Sequence, residues 1–305
     1  MIGPSAWLFP GQGVDLGAAH AFVETSSAVR AHVESASALT GENLASLLRS
    51  GAPRLFESRL LQPALTALSL GIADELLRAG ARPGACAGHS LGELAALAAA
   101  GALRSEAALR LAATRGELMG SAARENPGGM LALTESDRAS VDAALALGAK
   151  GGTLTLAARN APDEWVLSGD AAALALVSAG FRSVRLRVEG AWHSLAMLPA
   201  LEGYRAALAL TELQVPQAAF VSAERGDLAS APAELRADLE AQLTRPLDFT
   251  RVLERLRSIG SECVVCVGPG KTLRSFVRRC LGASLRVLST DSPRDLETTA
   301  KELSR

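Results

Sequence analysis

The chain has 305 residues, 49% of them hydrophobic, and 31 basic against 32 acidic side chains leave a formal net charge of -1. That size and apolar content can form one large α/β domain or a main domain with a smaller inserted one. The even charge balance and 4% aromatic content argue against a polybasic nucleic-acid surface or a base-stacking platform. The longest apolar stretches, such as 94–100, are too short to span a membrane, and no basic, apolar leader opens the chain at Met1-Ile2-Gly3-Pro4. Cysteines at 86, 263, 266 and 280 make no dense disulfide framework, so a cytoplasmic protein is expected.

Residues 6–9 predict a short apolar strand, stopped by the turn Pro10-Gly11-Gln12-Gly13. Helical sequence follows over 18–39 and 43–49. Gln62-Pro63 opens an amphipathic helix over 64–79, with Pro63 suited to a first turn. The apolar run 84–87 reads as a buried strand and the Ala/Leu run 94–100 as a helix. Between them lies Gly88-His89-Ser90-Leu91-Gly92-Glu93, a Gly-x-Ser-x-Gly pattern. Between a strand and a helix this pattern describes either a plain small-residue turn of an α/β domain or a nucleophile elbow, a sharp turn that exposes a serine hydroxyl at a helix N-terminus. Unpaired backbone N–H groups at that terminus can stabilise an oxyanion.

A helix over 105–123 carries Arg115 in its middle. Residues 127–189 then change texture: strand 130–133, helix 137–147, strands 153–158 and 165–167, helix 171–179, and an alternating strand 183–188. This β-α-β-β-α-β order fits a small ferredoxin-like unit inserted into the body. The chain continues through Gly190-Ala191-Trp192-His193-Ser194, helical sequence to 210, the segment 242–246, a helix over 250–259 and a strand over 264–267 ending in Gly268-Pro269-Gly270.

A nucleophilic serine needs a base, and the chain has four histidines. His20 and His32 lie on ordinary helix faces and are expected in solvent. His89 adjoins Ser90, but neighbours on a sharp turn point apart, so it is expected to pack behind the elbow. His193 remains the best base. No carboxylate obviously completes a triad, leaving either a backbone carbonyl or a distant acid to orient His193. Cys263 and Cys266 face opposite sides of a strand and lack a second pair, so a metal site is not expected. Gly270-Lys271-Thr272 has Val265 where a P-loop needs glycine, which rejects phosphate binding by that motif. Arg115 is open between a residue snorkelling to the surface and a bidentate carboxylate clamp.

Several motifs, in order over nearly the full length, resemble those of malonyl-CoA:acyl carrier protein transacylases and the acyltransferase domains of polyketide and fatty acid synthases. They are Phe9-Pro10-Gly11-Gln12-Gly13, Gln62-Pro63-Ala64, Gly88 to Glu93, Arg115-Gly116-Glu117-Leu118-Met119, Asn160-Ala161-Pro162 with Val166-Leu167-Ser168-Gly169, Gly190 to Ser194, and Val267-Gly268-Pro269-Gly270. The resemblance implies an α/β-hydrolase-like catalytic domain over 1–126 and 190–305 with a ferredoxin-like subdomain over 127–189. It implies Ser90 as the acylated nucleophile, His193 as base, and the Gln12 and Leu91 N–H groups as oxyanion hole. The Gln242 carbonyl would orient His193. Arg115 would hold the malonyl carboxylate, with His89, Met119, Asn160 and Trp192 also about the substrate. The implied reaction is ping-pong transfer of malonyl from CoA to the phosphopantetheine thiol of an acyl carrier protein, with no bound cofactor or metal and no nucleic-acid or membrane partner.

Four departures from the family pattern stand out: Val14-Asp15 after the GQG motif, Leu60-Leu61 before Gln62, Trp192 for phenylalanine, and Cys266 for glutamate. Leu91 resembles malonyl-type members, and Trp192 bears on whether a branched or unusual extender fits. Alternatives within the same chemistry are an editing acyl-thioester hydrolase and the malonyl-loading subunit of a malonate decarboxylase; another is a non-catalytic docking subunit. Arg182, Arg185 and Arg187, with Lys271, Arg274, Arg278 and Arg279, are candidates to meet an acidic carrier, and charge reversal at Arg278 and Arg279 is the expected test.

Overall fold

A computed structural model describes residues 5–283 and 285–304; the opening Met1–Pro4 lies outside the described residues. Eleven strands are described: β1 Ser5–Phe9, β2 Ala85–Gly88, β3 Gly129–Thr134, β4 Leu154–Ala161, β5 Glu164–Gly169, β6 Ser183–Arg185, β7 Ala219–Ser222, β8 Asp227–Leu228, β9 Leu247–Asp248, β10 Cys263–Cys266 and β11 Arg286–Ser289. They form two sheets, giving a mixed α/β fold.

The larger sheet has the order β11-β10-β1-β2-β7-β8. Its first five strands are parallel, and β8 returns antiparallel on β7 as an edge hairpin. Strands β1, β2 and β10 are buried throughout, as their continuous apolar runs require in a sheet covered on both faces. Register brings Phe9 beside Gly88, so the turns leaving β1 and β2 emerge together. The β10 exit, Val267 to Gly270, lies on the other side of β1. A crevice at the carboxyl ends of parallel strands is where an open α/β sheet binds its ligands.

The smaller sheet has the order β6-β3-β5-β4-β9. Residues 129–185 follow β-α-β-β-α-β, with helices Arg138–Gly148 and Ala171–Gly180. Alternation divides its residues: Leu131, Leu133 and Leu167 join a separate cluster under those helices, whereas Met130, Ala132, Ala158 and Val166 pack with the main core. Strand β9 comes from beyond the 127–189 stretch and pairs in parallel with β4, Ala158 opposite Leu247, a junction not foreseen. Strand β6 is shorter than expected. After the Leu186 N–H bonds Met130 O at 3.1 Å the chain leaves the ladder, and Leu186 and Val188 line the central cavity.

Local signals explain other differences. The expected helix over 18–39 is two helices, Ala19–Thr25 and Ser27–Thr40, because extended Ser26 accepts the Val29 N–H with its side chain at 3.1 Å. The helix expected over 64–79 is Ser58–Arg78, with Pro63 inside it and not at its first turn. Pro63 supplies no N–H to the Arg59 carbonyl, a local cost that burial of this core helix offsets. That helix is long and apolar enough to cross a membrane, yet 83% of its most apolar window is buried inside the fold. The sequence reading did not identify β7, β9, β11 or the helices Pro232–Ala241, Thr272–Leu281 and Pro293–Leu303.

Candidate active site

Ser90 occupies the turn between β2 and the helix Gly92–Ala99, in the left-handed region at φ 52°. For a serine this conformation costs on the order of 1–3 kcal/mol. Two reverse-turn bonds hold it, Gly92 N–H to His89 O and Glu93 N–H to Ser90 O, each 3.0 Å. Only glycine fits on either side. A Cβ at Gly88 would lie 2.1 Å from Glu93 N, and one at Gly92 would lie 2.2 Å from Phe9 O. The elbow is therefore wedged against the end of β1.

His193, also left-handed at φ 57°, places Nε2 2.9 Å from Ser90 Oγ. Its Nδ1 lies 2.7 Å from the main-chain carbonyl of Gln242. A carbonyl only accepts, so Nδ1 carries the proton and donates it there, leaving the Nε2 lone pair for the Ser90 hydroxyl. The second partner of His193 is thus a backbone carbonyl and not a carboxylate. Among the described hydrogen bonds, the N–H groups of Gln12 and Leu91 have no protein acceptor. Both adjoin Ser90, Leu91 in sequence and Gln12 in the shared cavity lining.

Arg115 is 2% exposed, which excludes snorkelling. Its Nη1 donates to Gln62 Oε1 at 2.9 Å, and its Nη2 donates to Gln242 Oε1 at 3.0 Å and to Ser90 Oγ at 3.2 Å. A guanidinium has five N–H groups, so with two amide acceptors held it can exchange the serine oxygen for a substrate carboxylate in bidentate geometry. Behind it, the Gln242 amide nitrogen donates to Glu93 Oε2, and Ala223 N–H donates to Glu93 Oε1 at 2.6 Å. Sequence reasoning did not place Gln62 or Glu93 in the site, although both belong to motifs it quoted. Glu93 meets Gln242 and Ala223, 149 and 130 residues away, which only tertiary packing brings to it.

Burial first, and then the Arg115 charge, push the His193 imidazole down to about 3, against the Gln242 hydrogen bond. A histidine held neutral this far down stays a competent base in mild acid. We expect kcat/KM for acylation to stay level from pH 7 to pH 5, where a base at the ordinary value of 6.5 would lose about twenty-fivefold. Initial rates across that interval test this, with a fall centred near 6.5 counting against it. The sign for stability is opposite. The fold binds fewer protons at His193 than the unfolded chain, so stability present above pH 6.5 is lost as pH falls towards 3. Near-ultraviolet circular dichroism at each pH separates the two effects.

Ser90 and His193 open on a cavity of about 130 Å³ between the two sheets. Gln12, His89, Asn160 and Trp192 line it. His89 Nε2 donates to Asn160 Oδ1 at 2.8 Å, and the ring packs edge-on against Phe249 at 5.0 Å. The far edge of the Trp192 ring folds back over Gly190, where a Cβ would lie 2.6 Å from it. Met119 is elsewhere: it sits beneath Gln62, whose Nε2 reaches its sulfur at 3.5 Å, outside the cavity lining. His32, expected in solvent, instead pairs with Asp74 at 2.8 Å. Thr272, Leu273 and Phe276 of an unpredicted helix complete one wall.

The basic residues divide. Arg182 pairs with Glu135, Arg274 with Asp291, and Arg279 with both Asp163 and Glu164 at 2.5 Å. Arg279 thus ties the helix Thr272–Leu281 to the β4–β5 turn, and reversing its charge would break that tie, so it is unsuited to the docking test expected of it. Arg185 and Arg187 instead border a hollow of about 370 Å³ beside Gly13 and Val14, next to the cavity mouth.

The sequence profile of the acyl transferase domain family matches residues 6–291. The chain is 29% identical to the malonyl CoA-acyl carrier protein transacylase of Bacillus subtilis, over 98% of this chain and 96% of that one. It is 32% identical to the corresponding protein of Salmonella typhimurium, over 90% and 92%. Among solved structures, a malonyl-transacylase in complex with its type II PKS acyl-carrier protein superposes with a TM-score of 0.90, at 29% identity and 98% and 99% coverage.

Proposed function

The chain belongs to the acyl transferase domain family, and on that premise we propose that it moves a malonyl group from coenzyme A to the phosphopantetheine thiol of an acyl carrier protein through an acyl-serine. The observation that carries the reading is the Ser90–His193–Gln242 relay with a buried guanidinium 3.2 Å from the same serine oxygen. A carboxyacyl thioester is the substrate that uses both parts.

In this mechanism Arg115 gives up Ser90 Oγ and, keeping one N–H on each of the Gln62 and Gln242 amides, turns its remaining Nη1 and Nη2 protons to the malonyl carboxylate, which sets the thioester carbonyl over Ser90 Oγ. His193 Nε2 takes the hydroxyl proton as Oγ bonds to the carbonyl carbon. The oxyanion that forms faces the Gln12 and Leu91 N–H groups. Collapse breaks the C–S bond, and His193 returns the proton to the CoA thiolate. The carrier's thiol then gives its proton to His193 and attacks the acyl-serine, and the reverse collapse returns the proton to Ser90 Oγ. No step needs a resident cofactor.

Burial of His193 and retention of Arg115 favour transfer over hydrolysis, because water must be kept from the acyl-serine between the half-reactions. We further read the body, 1–126 and 190–305, as α/β-hydrolase-like and 127–189 as a ferredoxin-like insertion, supported by the five parallel strands and the β-α-β-β-α-β order. Four unpaired cysteines accord with a cytoplasmic enzyme. Intact-protein mass after brief mixing with malonyl-CoA tests the function. We expect a malonyl adduct that persists until a phosphopantetheinylated carrier protein discharges it. CoA release without an adduct would instead mark a hydrolase.

A further inference from the structure

The proposed malonyl transfer leaves Glu93 without a role, although this carboxyl is 1% exposed and one residue from the catalytic network. We propose that Glu93 is a positioning residue that sets the selectivity of Arg115 for a carboxylate-bearing acyl group: it orients the Gln242 amide towards the guanidinium and takes up a proton when the substrate's carboxylate arrives. The inference rests on the transferase reading above.

Donor and acceptor chemistry carries the first part. The two ends of the Gln242 side chain meet opposite demands, Arg115 Nη2 donating to Oε1 at 3.0 Å and Glu93 Oε2 accepting from Nε2. Arg115, which has no acceptor, requires Oε1 to face it, and the Gln242 NH2 then left on the other side finds its acceptor in Glu93 Oε2. Glu93 is itself fixed by the Ala223 N–H at 2.6 Å. Among the described residues no carboxylate pairs directly with Arg115, so Glu93 acts on its charge through this one amide. The main-chain carbonyl used by His193 is held independently, the Gln242 N–H bonding Asp238 O at 3.0 Å as the helix Pro232–Ala241 ends. Glu93 is therefore coupled to the substrate clamp more closely than to the base.

The second part follows from the charges around the carboxyl. From the end of β7 come the Ala223 N–H and the Glu224 carboxylate, from the helix Pro232–Ala241 Asp238, from the helix Ser105–Glu125 Arg115, and from the helix Leu198–Ala209 the buried Tyr204 hydroxyl, which has no hydrogen-bond partner. Burial pushes Glu93 up to about 8, Asp238 and Glu224 push the same way, and the Ala223 N–H and Arg115 oppose them. A substrate carboxylate on Arg115 adds a like charge and takes up the compensation that Glu93 enjoyed, so the carboxyl's affinity for a proton rises further. Above pH 8, acylation by malonyl then consumes a proton that acylation by acetyl does not.

Glu93→Gln tests both parts. Its Oε1 must face the Ala223 N–H, which turns its NH2 against the Gln242 NH2; the Gln242 amide rotates and presents a donor to Arg115. The readout is the fraction of malonyl and acetyl adduct at equilibrium with each CoA thioester, by intact mass from pH 7.5 to 9. Both release the same thiol, so its ionisation cancels in the ratio. In the wild type we expect the malonyl-to-acetyl ratio to fall at least threefold over that range. In Glu93→Gln we expect the ratio at pH 7.5 to be at least tenfold lower and independent of pH, while labelling of Ser90 by a neutral fluorophosphonate slows less than threefold. A variant with the wild-type ratio and slope overturns the inference. So does a parallel loss of both adducts and of labelling, which would make Glu93 merely structural. Wild-type enzyme that labels but forms no malonyl adduct overturns the transferase reading, and this inference with it.

Discussion

His193→Ala is expected to slow acylation by malonyl-CoA by about 10³- to 10⁵-fold while leaving the fold intact. The imidazole is the described group within reach of the Ser90 proton that can accept it at neutral pH, at 2.9 Å, and alanine leaves the hydroxyl facing only the Arg115 guanidinium, a donor. The residual rate then depends on hydroxide and should climb with pH, tenfold per unit, whereas the wild-type rate is level across neutrality. Stopped-flow release of CoA from pH 6 to 9 measures both features. A loss smaller than tenfold would mean that another group serves as base. Ser90→Ala sets the floor, with no adduct at all.

Arg115→Ala has the second large effect, on which acyl group is taken. In the wild type the malonyl carboxylate leaves water for a buried cation; in the variant it is buried without one. Removing one partner of a buried pair costs about 3–5 kcal/mol, so kcat/KM for malonyl-CoA should fall by about 10²- to 10⁴-fold. Acetyl-CoA brings no carboxylate and leaves the wild-type guanidinium on its amide acceptors, so its kcat/KM should change far less. The malonyl preference is then lost or reversed. Steady-state rates with the two thioesters decide this, and an equal loss for both would assign Arg115 to the serine oxygen alone. Arg115→Lys should recover only part of the preference, since an ammonium lacks the planar fork that serves Gln62, Gln242 and a carboxylate together.

Much of this molecule is legible from residue order. Gly88 and Gly92 around Ser90 announce the elbow, and the structure shows why nothing larger fits: a Cβ at either would strike backbone within 2.2 Å. The period of the 127–189 stretch sets out its strands and helices, because alternation and 3.6-residue repeats are local properties of a half-buried surface. His193 emerges by elimination among the four histidines, and the family's motifs supply Arg115, Gln12 and Gln242 in order.

Other features were decided by partners distant in sequence. Whether Arg115 snorkels or stays inside depends on Gln62 and Gln242, 53 and 127 residues away, which accept its protons. Pro63 reads locally as a helix start, but burial along Ser58–Arg78 outweighs its missing hydrogen bond. Arg279 looks like free surface charge until Asp163 and Glu164 are brought against it, and Trp192 could not be given an orientation until Gly190 lay beneath its ring. Sequence alone determined the chemistry, since a turn's glycines, a serine, a histidine and an arginine carry their reactivity wherever they sit. Tertiary structure decided their electrostatics: burial and the nearest charges set the proton affinities of His193 and Glu93, and both are properties of space rather than of order along the chain.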